Sequence, residues 1–315
     1  MKIVFLGSPQ CAVDPLKFLI EKGYSVVACV SQPARPAGRG KALQDPPVAR
    51  FAKENGVETI QPASVNEPEV LDYLRNLNFD IALTAAYGQI LSKNFLAIPR
   101  RATINIHPSL LPRYRGATPV PSALLDGLTE TGVTVLFTVY KMDAGNIIVQ
   151  KRTSVQPEET ADVLTDRLFS EGARILPEAF KLLADPGFQG AIQDEASVTH
   201  CRKLTKESGL VQWRLSAEQI FNQYRAYYPW PGSYTFCQGR RVVVSQLSRC
   251  LQSSSKGEPG TFFLDKNSRR LLVQTSDGTL ELCRLKPEGG KEISGFDYWN
   301  GLKAVDGWGK FSDQP

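Results

Sequence analysis

From Lys2 to Leu6 the chain opens on an apolar run ended by Gly7-Ser8-Pro9, the pattern of a strand buried on both faces and feeding a turn. Val13, Leu16, Leu19 and Ile20 then recur at three-to-four spacing, which predicts a helix, and Gly23 stands where such a helix stops. Short β-rich runs follow at Ser25 to Val30, Glu58 to Ile60, Ile81 to Ala85 and Ala102 to Ile106, separated by helical stretches such as Pro47 to Asn55 and Glu67 to Arg75. Alternating strands and helices predict right-handed crossovers and an α/β fold with a doubly wound, mostly parallel sheet. Ligands of such sheets bind beyond the carboxyl ends of the strands.

The pattern changes toward the C-terminus. Residues from about Ala184 to Lys206 lose apolar periodicity and read as a linker. Ser216 and Gln219 form a capping box, with Ile220 and Tyr224 on one face, so a helix is expected up to Pro229. Short strands then dominate, at Ser233 to Phe236, Arg240 to Val244, Gly260 to Phe263, Leu271 to Gln274 and Thr279 to Cys283. Gln238-Gly239 and Asp277-Gly278 mark turns between them, and together they predict a small β-barrel.

Composition removes several classes of protein. The 315 residues, 42% hydrophobic and 22% charged, are ordinary globular material. No apolar run reaches the ~18 residues of a membrane helix, and the opening run is too short for a signal-peptide core. The six cysteines are scattered without a C-x-x-C pair, so they read as reduced thiols and the expected location is cytoplasmic. The two histidines, His107 and His200, lie at no zinc-ligand spacing, and no metal is expected. Charge is uneven: residues 200–315 carry 17 Lys+Arg against 11 Asp+Glu, net +6, and residues 1–199 carry net −1. That asymmetry suits a polyanion-facing module on a near-neutral body.

Two nucleotide motifs fail. After the first strand stands Gly7-Ser8-Pro9-Gln10 and not Gly-x-Gly-x-x-Gly, which argues against a nicotinamide or flavin cofactor. Around Gly38-Arg39-Gly40-Lys41 a phosphate loop would need Gly at Arg35 and Ser or Thr at Ala42. The densest polar segment is instead Asn105-Ile106-His107-Pro108-Ser109-Leu110-Leu111-Pro112-Arg113-Tyr114-Arg115-Gly116, following a buried strand. Asn105 and His107 fall on one face of that strand, at its carboxyl end. Asp143, in Met142-Asp143-Ala144-Gly145 beyond the run Val133 to Val139, is either a turn cap or a partner that fixes the His107 ring, and spacing alone leaves both open.

The segment Asn105 to Gly116, with Glu130-Thr131-Gly132-Val133-Thr134 and Asp143-x-Gly145, resembles the signature of folate-dependent formyltransferases. Within them, Gln32-Pro33-x-Arg35-Pro36-Ala37-Gly38-Arg39-Gly40-Lys41 resembles the first loop of members that formylate methionyl initiator tRNA. Arg225-Ala226-x-x-Pro229-Trp230-Pro231-Gly232 also fits, although nucleotide-sugar N-formyltransferases share it. Ala42 departs from a more common lysine, and Pro121 from a more usual polar residue.

The resemblance implies a Rossmann-like catalytic domain over 1–188, a linker over 189–206 and an OB-like tRNA-binding domain over 207–315. It implies Asn105, His107 and Asp143 as catalytic residues. It implies 10-formyltetrahydrofolate as formyl donor, held by Ser109, Leu110, Leu111 and Pro112 and by Tyr87, Gly88, Gln89, Ile90 and Leu91, without a metal. Arg39 matches a tRNA-contacting arginine; Arg35, Lys41, Lys203 and Lys206 extend the same basic set toward initiator methionyl-tRNA. A monomer is expected. The rival activity is nucleotide-sugar N-formylation, against which the basic loop argues. A catalytically silent tRNA-binding scaffold is the rival class, against which the intact Asn105, His107 and Asp143 argue.

Overall fold

The first strand forms where the apolar run predicts it, and its side chains from Ile3 to Leu6 are wholly buried, as a strand covered on both faces requires. The computed structural model describes residues 1–37, 42–250, 257–265, 267–302 and 309–314. The chain divides into two units. One gathers Met1–Pro119, Thr129–Val155 and Val163–Cys201; the other gathers Val120–Leu128, Gln156–Asp162 and Arg202–Pro315.

In chain order the elements of the first part are β1 (Lys2–Gly7), α1 (Val13–Glu21), β2 (Ser25–Val30), β3 (Arg35–Ala37), β4 (Ala42–Gln44), α2 (Pro47–Glu54), β5 (Thr59–Ile60), α3 (Pro68–Leu77), β6 (Ile81–Ala85), α4 (Lys93–Leu96), β7 (Ala102–His107), α5 (Pro119–Leu125), β8 (Glu130–Phe137), β9 (Ile147–Ser154) and α6 (Ala161–Leu182). The main sheet has the order β5-β2-β1-β6-β7-β8-β9. β5, β2, β1, β6 and β7 are parallel, and β8 and β9 extend the β7 edge antiparallel. The expected doubly wound, mostly parallel sheet is present, and its strand order reverses beside β1, so the carboxyl ends of β1, β6 and β7 frame the ligand edge. Val4, Leu6, Ala28, Val30, Leu71, Leu74, Phe79 and Phe95 pack one core of this unit.

The stretch 189–201, read from sequence as part of a linker, is bonded within the first unit. Ala191 and Ile147 exchange backbone hydrogen bonds at 2.8 Å, Gln193 and Glu195 meet the Arg115 guanidinium, and Arg115 N–H donates to Thr199 O at 2.9 Å.

The second unit contains most of α5 together with α7 (Ala217–Tyr227), β10 (Ser233–Cys237), β11 (Arg240–Arg249), β12 (Thr261–Asp265), β13 (Arg270–Gln274), β14 (Thr279–Pro287), β15 (Ile293–Ser294), α8 (Gly295–Gly301) and β16 (Gly309–Lys310). The antiparallel order β10-β11-β14-β13-β12-β16, with Phe236 bridging Ser312 back to β10, makes a nearly closed barrel. Its centre is aromatic: Trp213 stacks on Phe311 at 5.5 Å, and Phe262 sits 4.3 Å from the same ring. Full burial of one such ring stabilises by roughly 2 to 3 kcal/mol. The capping box on α7 forms in full, Ser216 Oγ taking the Gln219 N–H and Gln219 Oε1 taking the Ser216 N–H.

Candidate active site

β6 and β7 run side by side with Thr84 opposite Asn105. Thr84 Oγ1 donates to Asn105 Oδ1 at 2.7 Å, which turns the amide so that Nδ2 is its outward donor. His107, two residues along the same face, is 4% exposed. Its Nε2 lies 2.9 Å from the Tyr114 carbonyl. A carbonyl can only accept, so Nε2 carries the hydrogen and Nδ1 is the nitrogen turned toward Asp143, whose Oδ2 stands 3.7 Å away. The juxtaposition that spacing left open is therefore made.

Asp143 adopts φ +51°, and its Oδ2 accepts the Gly116 N–H at 2.8 Å. The same carboxylate thus faces His107 and ties down the end of the polar segment. Gly145 turns tightly against β8: an added Cβ would fall 1.8 Å from Phe137 O. Gly132 is equally closed, since a Cβ there would meet Leu110 Cδ2 at 2.5 Å and Lys151 O at 2.2 Å.

Ser109 is fully buried, and its Oγ donates to Arg113 O at 2.7 Å. Thr134 Oγ1 donates to Ser109 O at 2.6 Å and accepts the Leu111 N–H at 3.2 Å; Gln150 Nε2 donates to Leu111 O at 2.8 Å. Residues 109–112 are therefore fastened to β8 and β9. In the 87–91 segment Tyr87 and Leu91 belong to the core, whereas Ile90 is 69% exposed. The Tyr87 carbonyl takes Gln32 Nε2 at 3.1 Å, and Gln89 Oε1 takes the Val65 N–H at 2.7 Å. Lys93 Nζ stands 5.6 Å over the Tyr140 ring, so this segment adjoins the loop leading to Asp143, where Tyr140 and Met142 are exposed.

Arg35 is exposed on β3, and Lys203 and Lys206 are exposed in the second unit. Arg39 and Lys41 lie outside the described residues. Among the described residues no group of three His, Cys, Asp or Glu side chains could hold a metal ion. The six cysteines form no disulfide, and burial pushes the Cys11 and Cys29 thiols up to about 12, which leaves them un-ionised at neutral pH. Sequence reasoning gave no role to Thr84, Thr134, Gln150 or the Tyr114 carbonyl. Only the pairing of distant strands reveals the first three, and a main-chain acceptor leaves no mark in residue identity.

A strand-edge amide, imidazole and carboxylate, set beside loops with exposed apolar side chains, suit acyl transfer between bound substrates. A formyl transferase family model matches residues 1–180, and a formyl transferase C-terminal domain model matches residues 203–303. The chain belongs to the formyltransferase family. Within it the similarity is to methionyl-tRNA formyltransferases: 38% identity over 307 residues to that of Geobacter metallireducens, covering 98% of this chain and 97% of the relative. To that of Chloroflexus aggregans it is 39% over 306 residues, covering 97% and 99%. In three dimensions the chain resembles HypX from Aquifex aeolicus in complex with tetrahydrofolic acid, with TM-score 0.66, 16% identity, and coverage of 97% of this chain and 48% of the other. It also resembles WlaRD, a sugar 3N-formyl transferase, with TM-score 0.63, 20% identity, and coverage of 89% and 96%. At these identities the structural likeness is one of fold.

Proposed function

We propose that this chain transfers the formyl group of 10-formyltetrahydrofolate to the α-amine of methionine on initiator tRNA, with Asn105, His107 and Asp143 as its catalytic residues. What carries the reading is that a chain with full-length similarity to methionyl-tRNA formyltransferases also brings these three side chains to one sheet edge. The donor supplies an activated formyl carbon on N10. Asn105 Nδ2, oriented by Thr84, and His107 Nδ1–H in the imidazolium donate to the formyl oxygen as charge gathers on it. One such donor is typically worth about 3 kcal/mol. Asp143 steadies the imidazolium and relays a proton, directly or through water, from the attacking amine to N10 as the new N–C bond forms and the N10–C bond breaks. The nucleophile belongs to the substrate, so no enzyme Ser or Cys is consumed.

The donor site is assigned to Ser109, Leu110, Leu111, Pro112, Tyr87, Gly88, Gln89, Ile90 and Leu91. With Tyr87 and Leu91 committed to the core, these two present main-chain groups to the pterin edge, and Ile90 presents an apolar side chain. Arg35, Arg39, Lys41, Lys203 and Lys206 are assigned to tRNA phosphates, with the 207–315 barrel as the tRNA-binding domain and the enzyme as a monomer. A formylation assay offering methionyl-tRNA, an amino-sugar nucleotide and water as competing acceptors tests the reading. Formyl transfer to methionyl-tRNA is expected; preferential formylation of the sugar would replace it with the rival activity.

A further inference from the structure

Gln193 is 5% exposed and sits with both ends of its side-chain amide committed. Its Nε2 donates to Asp143 O at 2.8 Å and to Gly145 O at 2.7 Å, which uses both hydrogens. Its Oε1 accepts from Arg115 Nε at 3.0 Å and from Arg115 Nη2 at 2.8 Å. Arg115 is itself 2% exposed, and its Nη2 reaches Glu195 at 2.9 Å. The amide cannot be flipped, because a flip would set oxygen against two carbonyls and NH2 against a guanidinium. One buried side chain thus joins the end of the polar segment to the two carbonyls that bracket the Asp143 turn, while Gly116 N–H holds the Asp143 carboxylate from the other side.

The Asp143 turn needs such a clamp. Its backbone lies in the left-handed region, disfavoured for a residue with a Cβ, and its loop is otherwise a solvent-facing excursion with Tyr140 and Met142 exposed. From these contacts we infer that Gln193, oriented by Arg115, is a positioning residue for the transfer step: it fixes the turn that aims the Asp143 carboxylate at His107 Nδ1. The Gln193 amide is buried and fully spent on Asp143, Gly145 and Arg115, so its contribution is expected in kcat and not in binding. The inference rests on the catalytic roles proposed above for Asp143 and His107.

The test uses the full-length protein with methionyl-tRNA and 10-formyltetrahydrofolate. Gln193→Leu removes the donors and the acceptor at similar volume. It is expected to lower kcat about tenfold or more, since small displacements of a reacting group are costly, with both KM values within about twofold. Gln193→Glu, isosteric with the native side chain, sets a carboxylate oxygen against the Asp143 and Gly145 carbonyls and is expected to fail in the same way; it serves if the leucine variant does not fold. Imidazole NMR supplies a second readout, because with only two histidines a His200→Gln background leaves the His107 ring alone. Its signals are expected to shift in the Gln193 variants while circular dichroism stays native. Native kcat with unmoved His107 signals in a folded variant, or an effect confined to KM, overturns the inference. If His107→Ala and Asp143→Asn cripple transfer and Gln193→Leu does not, the clamp alone falls; if those two retain native turnover, the catalytic reading falls first.

Discussion

At the scale of single residues the two histidines separate cleanly. His107 is buried with its Nε2 on the Tyr114 carbonyl, whereas His200 is exposed. His107→Ala is expected to reduce kcat by about 100-fold or more, the usual loss when one oxyanion donor is removed, and His200→Ala to leave turnover within about twofold. Circular dichroism of both variants must remain native, and equal turnover would strip His107 of its role. Asp143→Asn keeps volume and an oxygen able to accept the Gly116 N–H but discards the charge facing Nδ1. It is expected to lower kcat more than it weakens reduced-folate binding, as measured by single-turnover rates beside equilibrium titration; an unchanged rate would remove the carboxylate from the mechanism. Asn105 and His107 were legible as a pair because a strand's period of two needs only local sequence. Thr84 was not, since its place opposite Asn105 depends on which strands pair and in what register, and Gln193 lay in a stretch with no apolar pattern to interpret.

At the scale of elements, α7 shows how far local chemistry reaches. Its capping box is written in Ser216-x-x-Gln219 and forms as written, so Ser216→Ala is expected to destabilise the protein by about 1 kcal/mol. Denaturant melts that fail to move would show the cap idle. β2 and β6 have the bounds that their apolar runs suggest, because buried parallel strands are unbroken hydrophobic text. β11 is different. The sequence run Arg240 to Val244 predicts an end at Val244, yet the strand continues to Arg249 with Val242, Val244 and Leu247 buried. The register against β14 slips between Val244 and Leu247, which breaks the period of two without ending the strand. α6 likewise runs through Pro177, where a proline would ordinarily be taken as a stop. Strand direction was least legible: β8 and β9 turn antiparallel at the sheet edge, and hydrophobic pattern does not encode the sense of pairing.

At the scale of the whole molecule, charge is unevenly divided along the chain. Net −1 over residues 1–199 and net +6 over residues 200–315 place the basic excess beyond residue 199, with Arg202, Lys203 and Lys206 supplying half of it ahead of the barrel. Affinity for methionyl-tRNA is expected to fall with salt, and loss of one phosphate contact to reduce the log-log slope by roughly 0.7 to 0.9. Arg39→Ala is expected to raise KM for methionyl-tRNA while reduced-folate binding holds within about twofold. Unaltered tRNA kinetics with impaired folate binding would move that loop to the donor side and favour a sugar acceptor. The second unit is assembled from three separate chain segments. Arg225 bonds to Gln156 O and Glu159 O from 69 and 66 residues downstream, and Arg249 reaches Glu158 from 91 residues downstream. A ribosome adds about 5 to 20 residues per second, so the 156–159 acceptors wait on the order of 3 to 20 seconds for their arginines. Until then the bonds that tie this stretch to the later part of the unit are unmade. A nascent chain that stalls before Arg225 never gains these guanidinium contacts, which makes the completion of this unit a matter of timing during synthesis.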